Sequence, residues 1–233
     1  MVALNTKQVM SGKDKPRAAI WESILSNSLN NNPFGIKYIP ITQKLMVGCY
    51  IIMFAKLDHK NAFRQLRKTK VKTGFSGIAG NKGSVALRFN FYETSFAFIN
   101  VHMAAGHEQA CNNERFENVR QIYNETFNDF YVANTQEKCY HDYKCFFGDM
   151  NFRIDMPNPE VRSLIEQKQY HKLQQKDQLL MVQQQHPILK NYSEGPLLFD
   201  PTYRYDVDSN LYDTTKKNRI PAWTDRILMC RDP

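Results

Sequence analysis

Apolar residues recur at helical spacing in three stretches of this chain. Ala18, Ile20, Trp21, Ile24 and Leu25 mark one face of a helix over Arg17–Leu29, and the segment Asn30–Gly35, with Pro33, ends it in a turn. Helical spacing returns over Glu114–Val132 and over Asn158–Gln185. The second of these opens on Pro-Glu and carries Val161, Leu164, Ile165, Leu173, Leu179 and Leu180. Short apolar runs at Tyr38–Ile41, Met46–Phe54, Ser84–Phe89, Phe96–Val101 and Cys145–Phe147 are each bounded by polar or glycine-bearing segments and read as strands. Strands joined in some places by helices and in others by turns predict a layered α/β domain with mixed sheets. No internal repeat is visible. The glutamines Gln174, Gln175, Gln183, Gln184 and Gln185 read as a solvated helix face in preference to a partner-binding tract.

With 233 residues, 42% of them hydrophobic, the chain can bury a core, and one globular domain over 1–233 is expected. No run approaches the roughly 18 apolar residues of a membrane span. The longest candidate, Leu45–Ala55, reads as a buried strand. The first residues lack the basic-then-apolar layout of a secretory signal, so a cytoplasmic location is expected. Five cysteines without paired spacing suit a reducing compartment, with no disulfide partner expected. Cys139, His141 and Cys145 lack a fourth zinc ligand at a usual spacing and read as the entry to a strand. None of the cysteines opens the loop of a cysteine-dependent phosphatase. The formal charge of +8 favours an anionic partner, whether nucleic acid, a phosphorylated small molecule or an acidic membrane face.

Chemistry concentrates where strands end. Phe96–Val101 runs into His102, and Cys145–Phe147 runs into Gly148, Asp149, Asn151, Arg153 and Asp155. Side chains at the mouth of a sheet stand on a rigid base and still reach solvent. In extended backbone Asp149 and Asn151 project to the same side, where a carboxylate and a carboxamide can orient one water and bond one phosphate oxygen. A strand-end Asx-turn explains Gly-Asp-x-Asn as well. A lone strand-end histidine such as His102 is more often structural than catalytic. Gly74–Gly83 is glycine-rich and carries Lys82, a phosphate-compatible arrangement that lacks the Lys-Ser/Thr ending of a Walker loop and reads equally as a hairpin. Phe199–Asp206 and Lys217–Leu228 gather further phosphate-compatible donors in loops. Asp225, beside Trp223, calls for a specific partner in so apolar and basic a setting.

Taken in order, Gly80-Asn-Lys-Gly83, Asn100-Val-His-Met-Ala-Ala-Gly106, Gly148-Asp-Met-Asn-Phe-Arg-Ile154, Phe199-Asp-Pro-Thr-Tyr-Arg-Tyr-Asp206 and Pro221-Ala-Trp-Thr-Asp-Arg-Ile-Leu228 resemble the successive signatures of the magnesium-dependent inositol polyphosphate 5-phosphatases, including the synaptojanin and oculocerebrorenal-type branches. The resemblance implies an α/β four-layer sandwich of two mixed β-sheets flanked by helices, the endonuclease/exonuclease/phosphatase fold. It implies hydrolysis of the 5-phosphate of phosphoinositides, and of soluble inositol polyphosphates, by in-line attack of an activated water with Mg2+ as cofactor. Asp149 is then the group that activates the water, with Asn151 beside it on the scissile phosphate or metal, His102 donating to a phosphate oxygen and Asp225 orienting a histidine. Asn81, Lys82, Arg153, Tyr203, Arg204, Lys217 and Arg219 correspond to substrate-binding positions. Arg204 stands where the family usually has lysine, which keeps the charge and adds a fork of donors. An anionic membrane surface becomes the expected setting, with peripheral attachment and no nucleic acid partner.

By the same resemblance the glutamate that is the main metal ligand would precede Met1, and the histidine partner of Asp225 would follow Pro233. The chain then reads as a partial catalytic domain, inactive by itself, with no metal ligand assignable within it. Two alternatives remain at this point. One is a nuclease of the same superfamily, disfavoured by the segments around Gly80, Tyr203 and Trp223. The other is a catalytically dead phosphoinositide-binding module.

Overall fold

The computed structural model describes residues 14–74, 79–127 and 141–231. They form two compact units. The first takes the described parts of Met1–His102, Gln121–Phe146 and Arg231–Pro233, and the second takes Met103–Arg120 and Phe147–Cys230.

The first unit opens with α1 (Asp14–Asn30), whose end is tied to the next strand by one side chain. Asn30 donates to the Ser26 and Tyr38 carbonyls and accepts from the Tyr38 amide, and Asn32 closes the intervening turn on the Leu29 and Ile36 carbonyls. The helix lies where its spacing predicts, but its apolar face is not covered. Ala18 is buried, whereas Ile20, Trp21 and Ile24 are 59%, 53% and 48% exposed.

The hairpin β1 (Tyr38–Met46) and β2 (Cys49–Lys56) is antiparallel, with a register shift between Pro40 and Thr42, where proline has no amide to give the ladder. A 3-10 turn (Leu57–Ala62) leads to β3 (Phe63–Gly74), β4 (Ala79–Phe91) and β5 (Thr94–His102), an antiparallel meander in that order. Val85, Ala86 and Leu87 are all buried, so β4 is covered on both faces and its apolar run needs no alternation. The pairing of Gly74 with Ala79 makes the glycine-rich segment a hairpin connection, although residues 75–78 lie outside the described residues. β3 had no apolar signature at all, because five of its residues are Lys or Arg.

The second unit carries the start of α2 (Gln109–Glu125), the end of β6 (Tyr143–Asp149), and the neighbouring strands β8 (Asp225–Arg231) and β7 (Ser193–Glu194). The helix expected over Glu114–Val132 begins earlier, at Gln109, and its predicted end at 128–132 falls outside the described residues, as does Cys139 of the zinc reading. The single helix expected over Asn158–Gln185 is three short ones, α3 (Asn158–Glu166), α4 (Tyr170–Gln174) and α5 (Gln178–Gln183). Lys168 takes a positive φ of 54°, which breaks the first junction, and the Asp177 carboxylate accepts from the Leu180 amide to start α5 afresh. Of the glutamines, Gln174 and Gln183 donate to the Leu197 and Tyr192 carbonyls, while Gln175, Gln184 and Gln185 are exposed. Ile154, Val161, Leu164, Ile165, Leu173, Leu197, Ala222 and Trp223 form the core of this unit, with the Trp223 indole donating to the Phe199 carbonyl.

Candidate active site

In the first unit, Gly83 of β4 pairs with Lys72 on one side and His102 on the other. A Cβ at Gly83, whose φ is 135°, would lie 2.0 Å from the Val71 carbonyl oxygen, so only glycine fits between the two strands. This close approach sets Lys82 and His102 together, with Nζ 2.7 Å from Nε2. A lysine ammonium has no acceptor, so it donates and His102 Nε2 accepts. Burial, and then the Lys82 charge, lower the His102 pKa to about 4, which keeps the ring neutral at physiological pH. In this arrangement Lys82 is the cation and His102 orients it, whereas the resemblance made His102 a donor through its own proton. Asn81, beside the pair, has its buried Oδ1 without a hydrogen-bond partner.

The low pKa has a measurable consequence. Unfolded His102 takes up its proton near pH 6.5 and folded His102 only near pH 4, so the unfolded state binds more protons in between and stability falls as pH drops through that window. Above it the histidine contributes no pH dependence. The loss attributable to His102 is on the order of 3 kcal/mol. His102→Gln should flatten the urea-midpoint profile between pH 6.5 and 4 without removing the slope due to His107 and His186, whose pKa values are also lowered. An unchanged profile would show that His102 is not held neutral.

In the second unit, β6 ends at Asp149 and the chain leaves extended geometry at once. Asn151 has a φ of 57°, in the left-handed region that asparagine tolerates better than most residues. The expectation that Asp149 and Asn151 project together from a strand is therefore corrected. The Asn151 amide instead donates to Asp149 Oδ1 at 3.1 Å, the Asx-turn alternative. The Asn151 carboxamide donates to the Met103 carbonyl at 3.1 Å and accepts from Arg153 at 2.7 Å.

Arg153 is 3% exposed. Its Nε donates to the Asn151 carbonyl, its guanidinium lies 4.2 Å from the centre of the Tyr203 ring, and its Nη1 is buried without a partner. Asn151 and Tyr203 were singled out from sequence, whereas Gln178 and Arg115, which complete the setting, were not. Gln178, 2% exposed, accepts from the Arg153 amide and from Arg115, and donates to Asp155. Arg115 in turn donates to the Ala104 and Gly106 carbonyls. His107 stands in the same field, its pKa lowered first by partial burial and then by Arg153 and Arg115. A buried glutamine inside a glutamine-rich stretch has no local signature, so nothing in the sequence marked Gln178.

The segment from Tyr203 to Ala222 is tied at its base, each of these residues donating its amide to the other's carbonyl. Inside it, Asp213 accepts from the Thr215 and Arg219 amides and from the Arg219 guanidinium at 2.9 Å. These bonds, led by Thr215, hold the Asp213 carboxyl well below the usual range. Tyr205 and Tyr212 stack 4.4 Å apart. Arg204 and Lys217 are exposed on this frame, and Arg219 is half-buried against Asp213.

Two expectations for the last motif are corrected. The segment from Asp225 is strand β8, not loop, and Arg226 is buried with both Asp177 and Glu194, so it is no phosphate donor. Asp225 itself is on the exposed side of β8, where its Oδ2 accepts from the Thr224 hydroxyl at 3.3 Å.

The strand ends and the braced segment present cations and polar groups on the endonuclease/exonuclease/phosphatase fold. All 233 residues match Endonuclease/Exonuclease/phosphatase family 2, and the chain belongs to that family. It is 36% identical to synaptojanin-2 of Rattus norvegicus over 231 residues, which cover 99% of this chain and 15% of that protein. It is likewise 36% identical to polyphosphatidylinositol phosphatase INP53 of Saccharomyces cerevisiae over 218 residues, 92% of this chain and 19% of that protein. The chain thus spans less than a fifth of either relative. Among solved structures, the inositol polyphosphate 5-phosphatase domain of SPsynaptojanin in complex with inositol (1,4)-bisphosphate and calcium ion superposes with a TM-score of 0.82. That match is at 30% identity and covers 98% of this chain and 64% of that one.

Proposed function

We propose that this chain carries part of the active site of a phosphatase that removes the 5-phosphate from phosphoinositides and soluble inositol polyphosphates. The observation that supports it most is Arg153, whose buried guanidinium bonds Asn151 and lies against the Tyr203 ring, whose amide is held by Gln178, and whose Nη1 has no partner. A buried N–H without a partner is costly, and a phosphate oxygen satisfies it with a charge-assisted bond. Asp149 is the base that activates water. Asn151, its carboxamide already committed, positions Asp149 and Arg153. Lys82 bonds a phosphate oxygen, with His102 orienting it and Asn81 beside it. Asp225 orients a histidine, as in the resemblance. Tyr203, Arg204, Lys217 and Arg219 hold the phosphate adjacent to the one removed.

Among the described residues no three of His, Cys, Asp and Glu converge on a metal position. Magnesium takes only one or two carboxylates and fills the rest of its sphere with water and substrate phosphate, and none of the described residues is assigned as its ligand. When bound, it would supply positive charge to the phosphoryl oxygens. No described helix is long and apolar enough to cross a membrane. Action from the cytoplasmic side, peripherally on an anionic bilayer, fits the proposed substrate.

The test, on the full-length protein, is phosphate release from a 5-phosphorylated phosphoinositide beside nicked and abasic DNA. Release from the lipid alone supports the reading, cleavage of DNA replaces it with a nuclease, and lipid binding without release replaces it with a binding module. Within the same assay, Lys217→Ala should raise KM by about tenfold for substrates with a neighbouring 4-phosphate, the loss of one charge-assisted bond, and leave those without it little changed. Equal effects on both would remove Lys217 from the adjacent-phosphate site.

A further inference from the structure

Between Asp58 and Glu93 the chain contains no acidic residue, yet it carries Lys60, Arg64, Arg67, Lys68, Lys70, Lys72, Lys82 and Arg88. These eight account for the whole net charge of +8, since the remaining 23 basic residues balance the 23 acidic ones. Five of the eight lie on β3, an edge strand of its sheet, and all five are exposed. Lys68, Lys70 and Lys72 alternate and therefore project from one face over roughly 13 Å. Lys44 of β1 stands in their field, its pKa lowered by burial and by Lys70 and Lys68. Among the described residues none of these four lysines has a carboxylate within ion-pair distance. A lysine or two is enough to stop an edge strand from pairing with another chain. Five exposed cations on one edge strand go beyond that need and suit an extended anionic surface.

The register gives the strip a direction. Lys72 pairs with Gly83, and Gly83 pairs with His102, so the strip runs along the sheet and ends level with the Lys82–His102 pair.

We propose that β3, together with Lys44, is a docking strip for the anionic face of a phospholipid bilayer, running toward Lys82 and His102. The inference rests on the reading of the substrate as a membrane lipid headgroup. A bilayer suits the strip better than single-stranded nucleic acid does, because its one aromatic residue, Phe63, packs on Phe89 and Phe91 and offers no exposed ring to stack a base. The contact is electrostatic and weakens as salt screens it.

The experiment is flotation of the chain with phosphatidylcholine vesicles, with and without phosphatidylserine. Neither vesicle contains a phosphoinositide, so the result is independent of the substrate site, and a failure here is distinct from a failure of phosphate release. Binding should require phosphatidylserine and fall with added salt. Each basic residue at such a surface contributes about a fivefold gain, so the combined variant Lys68→Glu, Lys70→Glu, Lys72→Glu should bind at least about a hundredfold more weakly. Arginine at the same three positions should retain binding, and the exposed set Lys172→Glu, Lys176→Glu, Lys190→Glu, with the same change in net charge, should leave it largely intact. Binding without dependence on phosphatidylserine, equal losses in the two glutamate sets, or displacement from the vesicles by duplex DNA at matched phosphate concentration would each overturn the proposal.

Discussion

In the full-length protein, Asp149→Asn is expected to lower kcat by about 10²–10⁴-fold while changing KM far less. The substitution is isosteric, and an asparagine Oδ1 still accepts the Asn151 amide, so the Asx-turn at the end of β6 survives. The backbone bond from the Met103 amide to the Asp149 carbonyl is untouched as well. What is lost, on the proposed reading, is the negative charge that takes a proton from water. The phosphate grip is proposed for Arg153, Lys82 and the Tyr203–Ala222 segment. Steady-state kinetics on a 5-phosphorylated substrate, with substrate affinity measured separately, decide the matter. Parallel losses in turnover and affinity would make Asp149 a binding group and remove it as the base.

The largest stability effect is expected at a residue that touches no substrate. Arg226 is fully buried on the inward side of β8, donating to both Asp177 carboxylate oxygens at 2.9 Å and to Glu194. Arg226→Met keeps most of the volume and strands two carboxylates in the core, which should cost about 3–5 kcal/mol. Urea denaturation would show the midpoint falling at constant slope. The triple replacement Arg226→Met, Asp177→Leu, Glu194→Leu should recover most of the loss, because buried ion clusters are commonly matched by apolar residues of similar size. Asp177 also starts α5, so recovery is expected to stop short by about the worth of one helix cap, roughly 1 kcal/mol. A triple variant as unstable as the single one would show that the cluster contributes more than mutual neutralisation.

These two sites also show what a sequence can and cannot disclose. Asp149 was singled out because a glycine-bearing, reactive segment followed a short apolar run, and the order of the signatures around it pointed to the family the chain belongs to. Arg226 belonged to the same kind of signature, yet its role was misread. In β8 the inward positions are Arg226, Leu228 and Cys230, and the outward ones include Ile227 and Met229, 61% and 52% exposed. The apolar alternation that marks a strand is cancelled when a charge points in and methionine points out. β3 fails for a related reason: strand identity there comes from pairing with β4, while its own residues are chosen for charge. Asn151 was placed correctly in the chain and wrongly in space, because a single positive φ ends the strand alternation that the reading assumed. Gln178 was invisible, since its importance lies in four bonds to groups far along the chain.

The segment from Tyr203 to Ala222 closes on itself at its base and is braced from within by Asp213, Asp206 and the stacked pair Tyr205 and Tyr212. It behaves as a cassette. Its exposed positions, Arg204, Lys216 and Lys217, can be exchanged without disturbing its frame, whereas the aspartates cannot. On the proposed function, headgroup preference is accordingly open to redesign by grafting: a segment of different length or charge, inserted between the two mutually bonded residues, should change which phosphates are accepted while Asp149 and Arg153 keep their geometry.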